Sequence, residues 1–269
     1  MARGFAPPSF YCDTRFMPFT FAHPSVCLPL KRSLPALRLS ALTVGSMVPD
    51  FGYYFPLSGY FEVSAHTFIR SFTFCLPVGL TLFAIFYFTR IGWARLFPVP
   101  ISSALLERAR SLRLNRFDFV LIPLSLLLGS WSHIVWDSFT HKGGWFVERA
   151  PYLQQEVAFG WLRVYHVLQH ISTIAGLAAI ALYIRMRSPD VNWKRVLTDR
   201  RVVFLIAALA IPPIFEIAFT DFAAIKDITA YRLRSFELIV NSLRTTLVIL
   251  TAAAIYLTST NTDGKPQPS

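Results

Sequence analysis

Five stretches of this chain, roughly residues 71 to 89, 117 to 139, 166 to 184, 202 to 224 and 238 to 257, are almost free of charge. Each is close to the ~20 residues that a helix needs to cross a hydrocarbon core of about 30 Å. In lipid every backbone N–H and C=O must be satisfied within the chain, so such segments fold as helices. The fold class is therefore all-α, a polytopic helical membrane protein with about five transmembrane helices. Composition agrees: charged residues make up 15% of the 269, against about 25% in ordinary soluble domains. A sixth apolar run, 36 to 49, falls short of spanning length.

The net charge of +11 would ordinarily raise nucleic acid as a partner, but the placement of the charge decides otherwise. Arg90, Arg95, Arg108, Arg110, Arg113 and Arg116 crowd the connection after the first span, and Arg185, Arg187, Lys194, Arg195, Arg200 and Arg201 the one after the third. Basic connections of this kind are retained in the cytoplasm. The connections 140 to 165 and 225 to 237, which mix acids with bases, are expected to face outward, leaving the C-terminus in the cytoplasm. The expected partner is the lipid bilayer, with no nucleic acid.

Cys12, Cys27 and Cys75 have neither disulfide-framework nor zinc-ribbon spacing. Residues 1 to 16 hold Arg3, Pro7, Pro8, Asp13 and Arg15 with no apolar core, so they do not read as a cleavable signal. They are expected to be a disordered extension, with Met17 a candidate true start. A single integral membrane domain then covers 17 to 257, and 258 to 269 reads as a disordered tail. Within that domain, Thr20 or His23 is expected to cap a short helix beginning at Pro24, interrupted at Lys31 to Pro35 and followed by a second helix from about 36 to 48. Such a hairpin returns the chain to where it entered and brings Asp50 near His23. Residues 51 to 65 read as an aromatic loop.

His133, Asp137 and His141 recur every four residues near the end of the second span. On a helix they form one polar stripe, set in a background where ionisable side chains face a bundle interior or a watery cavity. Positions i and i+4 can share one metal ion, whereas His133 and His141 stand about 12 Å apart on a continuous helix. Gly143 and Gly144 place the helix end just past His141, which leaves His141 to a bent last turn, a second ion or the substrate. His66 opens the first span, and His166 and His170 open the third. All six histidines, with Asp50 and Asp137, thus fall near one expected membrane face. Imidazole and carboxylate are the ligand set of zinc and other divalent first-row metals, so a mono- or binuclear site is expected from His23, Asp50, His66, His133, Asp137, His141, His166 and His170. Asp50 and Asp137 are also the candidate catalytic carboxylates. The plainer reading treats these residues as polar groups that bond neighbouring helices.

In the last two spans Arg244 is expected to pair with Glu216 or Asp221, since charges at such depth pair. Its functional alternative, shared with Arg163 of the outer connection, is to bind an anionic phosphate. No serine-hydrolase or nucleotide-binding pattern occurs.

Met17-Pro-Phe-Thr-Phe-Ala-His-Pro24, Gly45-Ser-Met-Val-Pro-Asp50, His66-Thr67, Ser132-His-Ile-Val-Trp-Asp-Ser-Phe-Thr-His141 with Gly144-Trp145, and Leu168-Gln-His-Ile-Ser172 with Gly176 together resemble a bacterial family of multi-pass membrane proteins known as a domain of unknown function. The resemblance covers roughly residues 17 to 185 and implies the bacterial inner membrane. More distantly, His23, Pro49-Asp50, His66 and Ser132-His133 through Asp137 are similar to predicted membrane-bound metal-dependent hydrolases. Those typically carry a second acid soon after Pro-Asp, where this chain has Phe51-Gly52, and a longer histidine run, of which only His66-Thr67 is present. The implied activity is zinc-dependent hydrolysis of a lipid or phosphoester. The alternative is a non-enzymatic transporter or scaffold with a structural polar stripe.

Overall fold

A computed structural model describes residues 20–55, 65–158, 162–188, 191–220 and 228–260. In chain order the elements are α1 (Cys27–Ser33), α2 (Leu39–Gly45), α3 (Phe51–Tyr54), α4 (Phe68–Arg70), α5 (Leu76–Leu96), α6 (Val99–Ser111), α7 (Asp118–Thr140), α8 (Trp145–Arg149), β1 (Glu156–Ala158), β2 (Leu162–Arg163), α9 (Val164–Arg187), α10 (Trp193–Thr198), α11 (Arg200–Ala218) and α12 (Ile228–Ser259). Five helical stretches are long and apolar enough to cross a membrane: Phe68–Leu96, Asp118–Arg149, Val164–Arg187, Arg200–Ala218 and Glu237–Ser259. Three of them overrun the apolar windows at both ends, because a helix continues through polar residues once its apolar middle is fixed; Asp118–Arg149 does so only at its C-terminal end, and Arg200–Ala218 stops short of residue 224. Helix α12 holds to Ser259, so residues 258 and 259 of the expected tail are helical, and residues 261–269 lie outside the described residues. Residues 1 to 16 and Asp221 lie outside the described residues.

The chain divides into two compact units. The first holds everything up to Pro77 together with Leu124–Ile180. Its N-terminal part is the expected hairpin with a shifted start. A 3-10 turn runs over Thr20–Val26, with Pro24 inside it, and leads directly into α1. Neither Thr20 nor His23 caps the helix, since the cap position of α1 is Val26. Cys27, Leu37 and Leu42 pack the hairpin, and the Cys27 thiol donates to the Leu42 carbonyl at 3.4 Å. Lys31 Nζ closes the connection on the carbonyls of Pro35 and Leu37. A second 3-10 turn, Val48–Asp50, runs into α3, so the start of the predicted aromatic loop is helical; residues 56–64 are outside the described set.

The hairpin lies against α7 with almost no side-chain layer between them. A Cβ added to Gly45 would stand 2.2 Å from the Leu126 carbonyl oxygen, and one on Gly129 2.3 Å from that of Leu42. Small residues let backbones approach this closely where lipid supplies little hydrophobic drive for helix association. Ser130 Oγ exploits the approach by donating to the Gly45 carbonyl at 3.0 Å. The third part of this unit is the segment of Ala65 and His66. Thr67 caps α4 by accepting from Arg70 N, and a wide π turn over Ser71–Cys75 then joins α4 to α5. Past α7, Gly143 turns the chain with φ of +80°, and Val147, Leu153 and Tyr165 pack a small outer cluster around the β1–β2 hairpin.

The second unit comprises Val78–Pro123 and Ala181–Ser269. Here α5 meets α12 at Gly92, where an added Cβ would be 1.8 Å from the Ala254 carbonyl oxygen. Thr258 Oγ1 accepts from Gly92 N at 3.0 Å, and Arg95 donates to the Leu257 carbonyl at 2.7 Å. Helices α11 and α12 pack through buried Ala208 and Thr246, whose hydroxyl donates to the Ala208 carbonyl at 2.9 Å. The basic connections contain α6 and α10, two short helices that charge counting alone does not reveal. Asp199 ties them to α11 by accepting from Val99 N at 2.8 Å and Arg201 N at 2.9 Å. These two bonds hold its carboxyl below the usual range.

Candidate metal centre

The close crossing of α2 and α7 puts the carbonyl of Ser46 2.7 Å from His133 Nδ1. A carbonyl only accepts, so Nδ1 carries the hydrogen. That sends Nε2 towards two carboxylates, with Asp137 Oδ2 at 3.0 Å and Asp50 Oδ1 at 3.4 Å. His66, arriving from the turn before α4, places its Nε2 3.1 Å from Asp50 Oδ1 and 3.5 Å from Asp137 Oδ2. One ligand atom from each of Asp50, His66, His133 and Asp137 lies within 4.8 Å of the other three. Among the described residues this is the group with the donor set and convergence to hold a metal ion.

The support around the four is as specific as the four themselves. Asp50 Oδ2 receives the Thr20 hydroxyl at 2.7 Å, and Tyr54 OH, 2.9 Å from the same oxygen of Thr20, is left to donate to it. Burial, then the Asp50 charge, push the Tyr54 phenol up to about 12, so it stays protonated as a donor. Burial alone would raise the Asp50 carboxyl, but His133 and then His66 overcome it and hold the group well below its ordinary value. His23 stacks on His133 with ring centroids 3.9 Å apart. Burial above all, and then His133, lower His23 to about 4 despite Asp137 and Asp50, so its imidazole is neutral.

The spacing of the four fits a small cation. Four ligands at the 2.0–2.2 Å typical of zinc are about 3.3–3.6 Å apart around a tetrahedron; the four separations above run from 3.0 to 3.5 Å. His133 Nε2, though buried and near two carboxylates, makes no hydrogen bond of acceptable direction. His66 Nε2 hydrogen-bonds Asp50 Oδ1, so it is His133 Nε2, turned towards two carboxylate oxygens with no such bond among the described residues, that has the lone-pair setting a cation site requires.

The remaining expected residues separate into near and distant. His141, just past the end of α7, places Nδ1 3.5 Å from Asp137 Oδ1, on the opposite oxygen from the four-residue group. His23 Nε2 lies 3.7 Å from that same oxygen. His166 and His170 do not join the group: His166 accepts from Arg163 N at Nδ1, and His170 is exposed on α9. The i, i+4 spacing of that pair points the two rings differently because β2 and Tyr165 claim the first. Arg163 directs its guanidinium to the Gln154 carbonyl at 2.7 Å. Arg244, in the second unit, donates to Asn241 Oδ1 at 2.9 Å, and Asn241 in turn reaches Glu216 at 3.5 Å, so an amide stands between the expected pair. Sequence reasoning missed Thr20, Ser46, Tyr54 and Gln169 as supports. Only Gln169 carried a signal, lying four residues before Thr173 on the face of α9 that holds buried Tyr165, His166 and Gly176.

The profile of a family described as "Domain of unknown function (DUF4184)" matches residues 17–260, so the chain belongs to that family. No curated protein and no solved structure matches it. The more distant likeness to membrane hydrolases therefore rests on the short motifs alone.

Proposed function

We propose that this member of the DUF4184 family is a metal-dependent hydrolase of the bacterial inner membrane, acting on a lipid or phosphoester at the outer face. The observation that carries the reading is the convergence of Asp50, His66, His133 and Asp137 from distant stretches of sequence, ligand atoms within 4.8 Å of one another. These four residues would hold the ion, zinc by the chemistry of the donors. An ion so held would act as a Lewis acid, lowering the pKa of water and polarising a phosphoryl or carbonyl oxygen. The chain's own groups do the positioning. Ser46 fixes the His133 ring, Thr20 and Tyr54 orient Asp50, and outer partners of this kind typically matter 10–100-fold in affinity. His66, with 26% of its side chain exposed, is the open side through which water and substrate would enter. The basic connections would lie in the cytoplasm with the C-terminus.

One observation favours a second reading, a transporter or scaffold: two imidazoles and two carboxylates can balance as buried ion pairs with no metal. Elemental analysis of the purified chain decides between them, alongside release of nitrophenol from a bis(nitrophenyl) phosphate or a nitrophenyl ester. The hydrolase reading expects stoichiometric zinc and turnover, both lost in His133→Ala and Asp50→Asn. A metal-free wild type with no turnover, and a His133→Ala variant that loses stability although there is no metal to lose, would leave the scaffold.

A further inference from the structure

The four-residue group leaves three buried atoms unexplained. Among the described residues, neither ring nitrogen of His23 nor Oδ1 of Asp137 has a hydrogen-bond partner, although the His23 side chain is only 2% exposed. A buried polar group left in this state is destabilising unless something else satisfies it. The atoms are neighbours, and they share a vicinity with His141. Asp137 therefore faces two histidine pairs with its two oxygens: Oδ2 towards His66 and His133, and Oδ1 towards His23 at 3.7 Å and His141 at 3.5 Å.

We propose that Asp137 is a bridging carboxylate and that His23 Nε2, His141 Nδ1 and Asp137 Oδ1 hold a second divalent cation beside the first. The inference rests on the metal reading of the four-residue group and deepens it from one ion to two. Separations of 3.5 and 3.7 Å that make no hydrogen bond subtend about 105–135° at an ion with ligands at 2.0–2.2 Å. As it stands, His141 Nδ1 donates to the Asp137 carbonyl at 3.2 Å, with the Thr140 hydroxyl at 3.1 Å, and its Nε2 accepts from the side-chain amide nitrogen of buried Gln169 at 3.5 Å. Ligation through Nδ1 would turn the ring, move its proton to Nε2 and have Gln169 present its amide oxygen instead, the outer partner that ligating histidines use. Three protein ligands leave a fourth position open, the arrangement of sites that admit water or substrate. A small cavity lies against His23, bordered also by Ala22, Ser25, Trp136, Ser172 and Thr173. Carboxylate-bridged pairs elsewhere hold their ions about 3.5–4 Å apart.

The test is metal counting on the full-length chain in detergent, saturated with Zn²⁺ or Co²⁺ and freed of excess. Two ions per chain are expected in the wild type and one in His23→Ala and in His141→Gln, with unchanged circular dichroism. If His23→Ala does not fold, the milder His141→Gln carries the comparison. One ion in the wild type overturns the second site and leaves the first standing; none overturns both. The cobalt form tests the bridge itself. Coupled spins in the wild type, replaced by an uncoupled Co²⁺ signal in His141→Gln, support it, and two uncoupled ions in the wild type overturn it.

Discussion

In the first unit α2 crosses α7 at Gly45 and Gly129; in the second, α5 meets α12 at Gly92. All three glycines sit where an added Cβ would strike a carbonyl oxygen, at 2.2, 2.3 and 1.8 Å. The packing device is the same and its consequences differ. At the α5–α12 contact the freed hydrogen bonds return to backbone and hydroxyl groups, Gly92 N to Thr258 and Arg95 to the Leu257 carbonyl. At the α2–α7 contact the approach delivers a carbonyl to His133 Nδ1 and leaves the other ring nitrogen facing two carboxylates. Close approach is thus a general means of packing helices in lipid, and becomes a site only where an ionisable side chain stands one or two turns along.

The sharpest way to break this comparison is to add one methyl group to each crossing. Gly45→Ala and Gly92→Ala are both expected to destabilise by about 1–3 kcal/mol, the usual range for overpacking. Only Gly45→Ala is expected to lose bound metal, because α2 must move away from His133. Thermal unfolding in detergent with elemental analysis checks both, and equal metal loss in the two variants would end the distinction.

A smaller contrast uses two buried threonine hydroxyls, one per unit. Thr20→Val removes two hydrogen bonds, one to Asp50 and one from Tyr54, and Thr246→Val removes one, for expected costs of about 2 and about 1 kcal/mol. Thr20→Val should also weaken zinc by about tenfold, since Asp50 loses its orienting donor; Thr246→Val should not. Competition with a chromogenic chelator reads the difference.

The smallest effect belongs to Asp199, outside the membrane-spanning stretches. Asp199→Ala removes the cap of α11 and is expected to cost about 1 kcal/mol at neutral pH. The wild-type carboxyl is held low by Val99 N and Arg201 N in the folded chain. Its contribution is therefore present above the unfolded carboxyl pKa and lost as pH falls through the folded one. Wild type and variant should converge as the pH falls through the lowered value of the folded carboxyl, measured as melting temperature across a pH series.

What the sequence made legible follows the strength of the physical constraint. The five spans were readable because lipid forces apolar length, and His133 with Asp137 because a four-residue step on a helix admits one geometry. The return of Asp50 towards the N-terminal segment followed from the hairpin. The partition of the histidines did not: His141 and His23 go to Oδ1 of Asp137, while His166 is held by Arg163 N. That sorting depends on side-chain directions at helix ends, which spacing does not encode. The contribution of Ser46 was equally hidden, since it acts through a carbonyl that every residue possesses.

The wide turn over Ser71–Cys75 has a consequence of its own. A π turn takes in one more residue than the α-helix around it, and residues advance about 100° about the axis. The turn therefore sets the direction from which His66 reaches Asp50 within the first unit. Shortening the chain there by a single residue would restore a regular helix and swing the imidazole about a quarter turn from Asp50, with every side chain of the site still present.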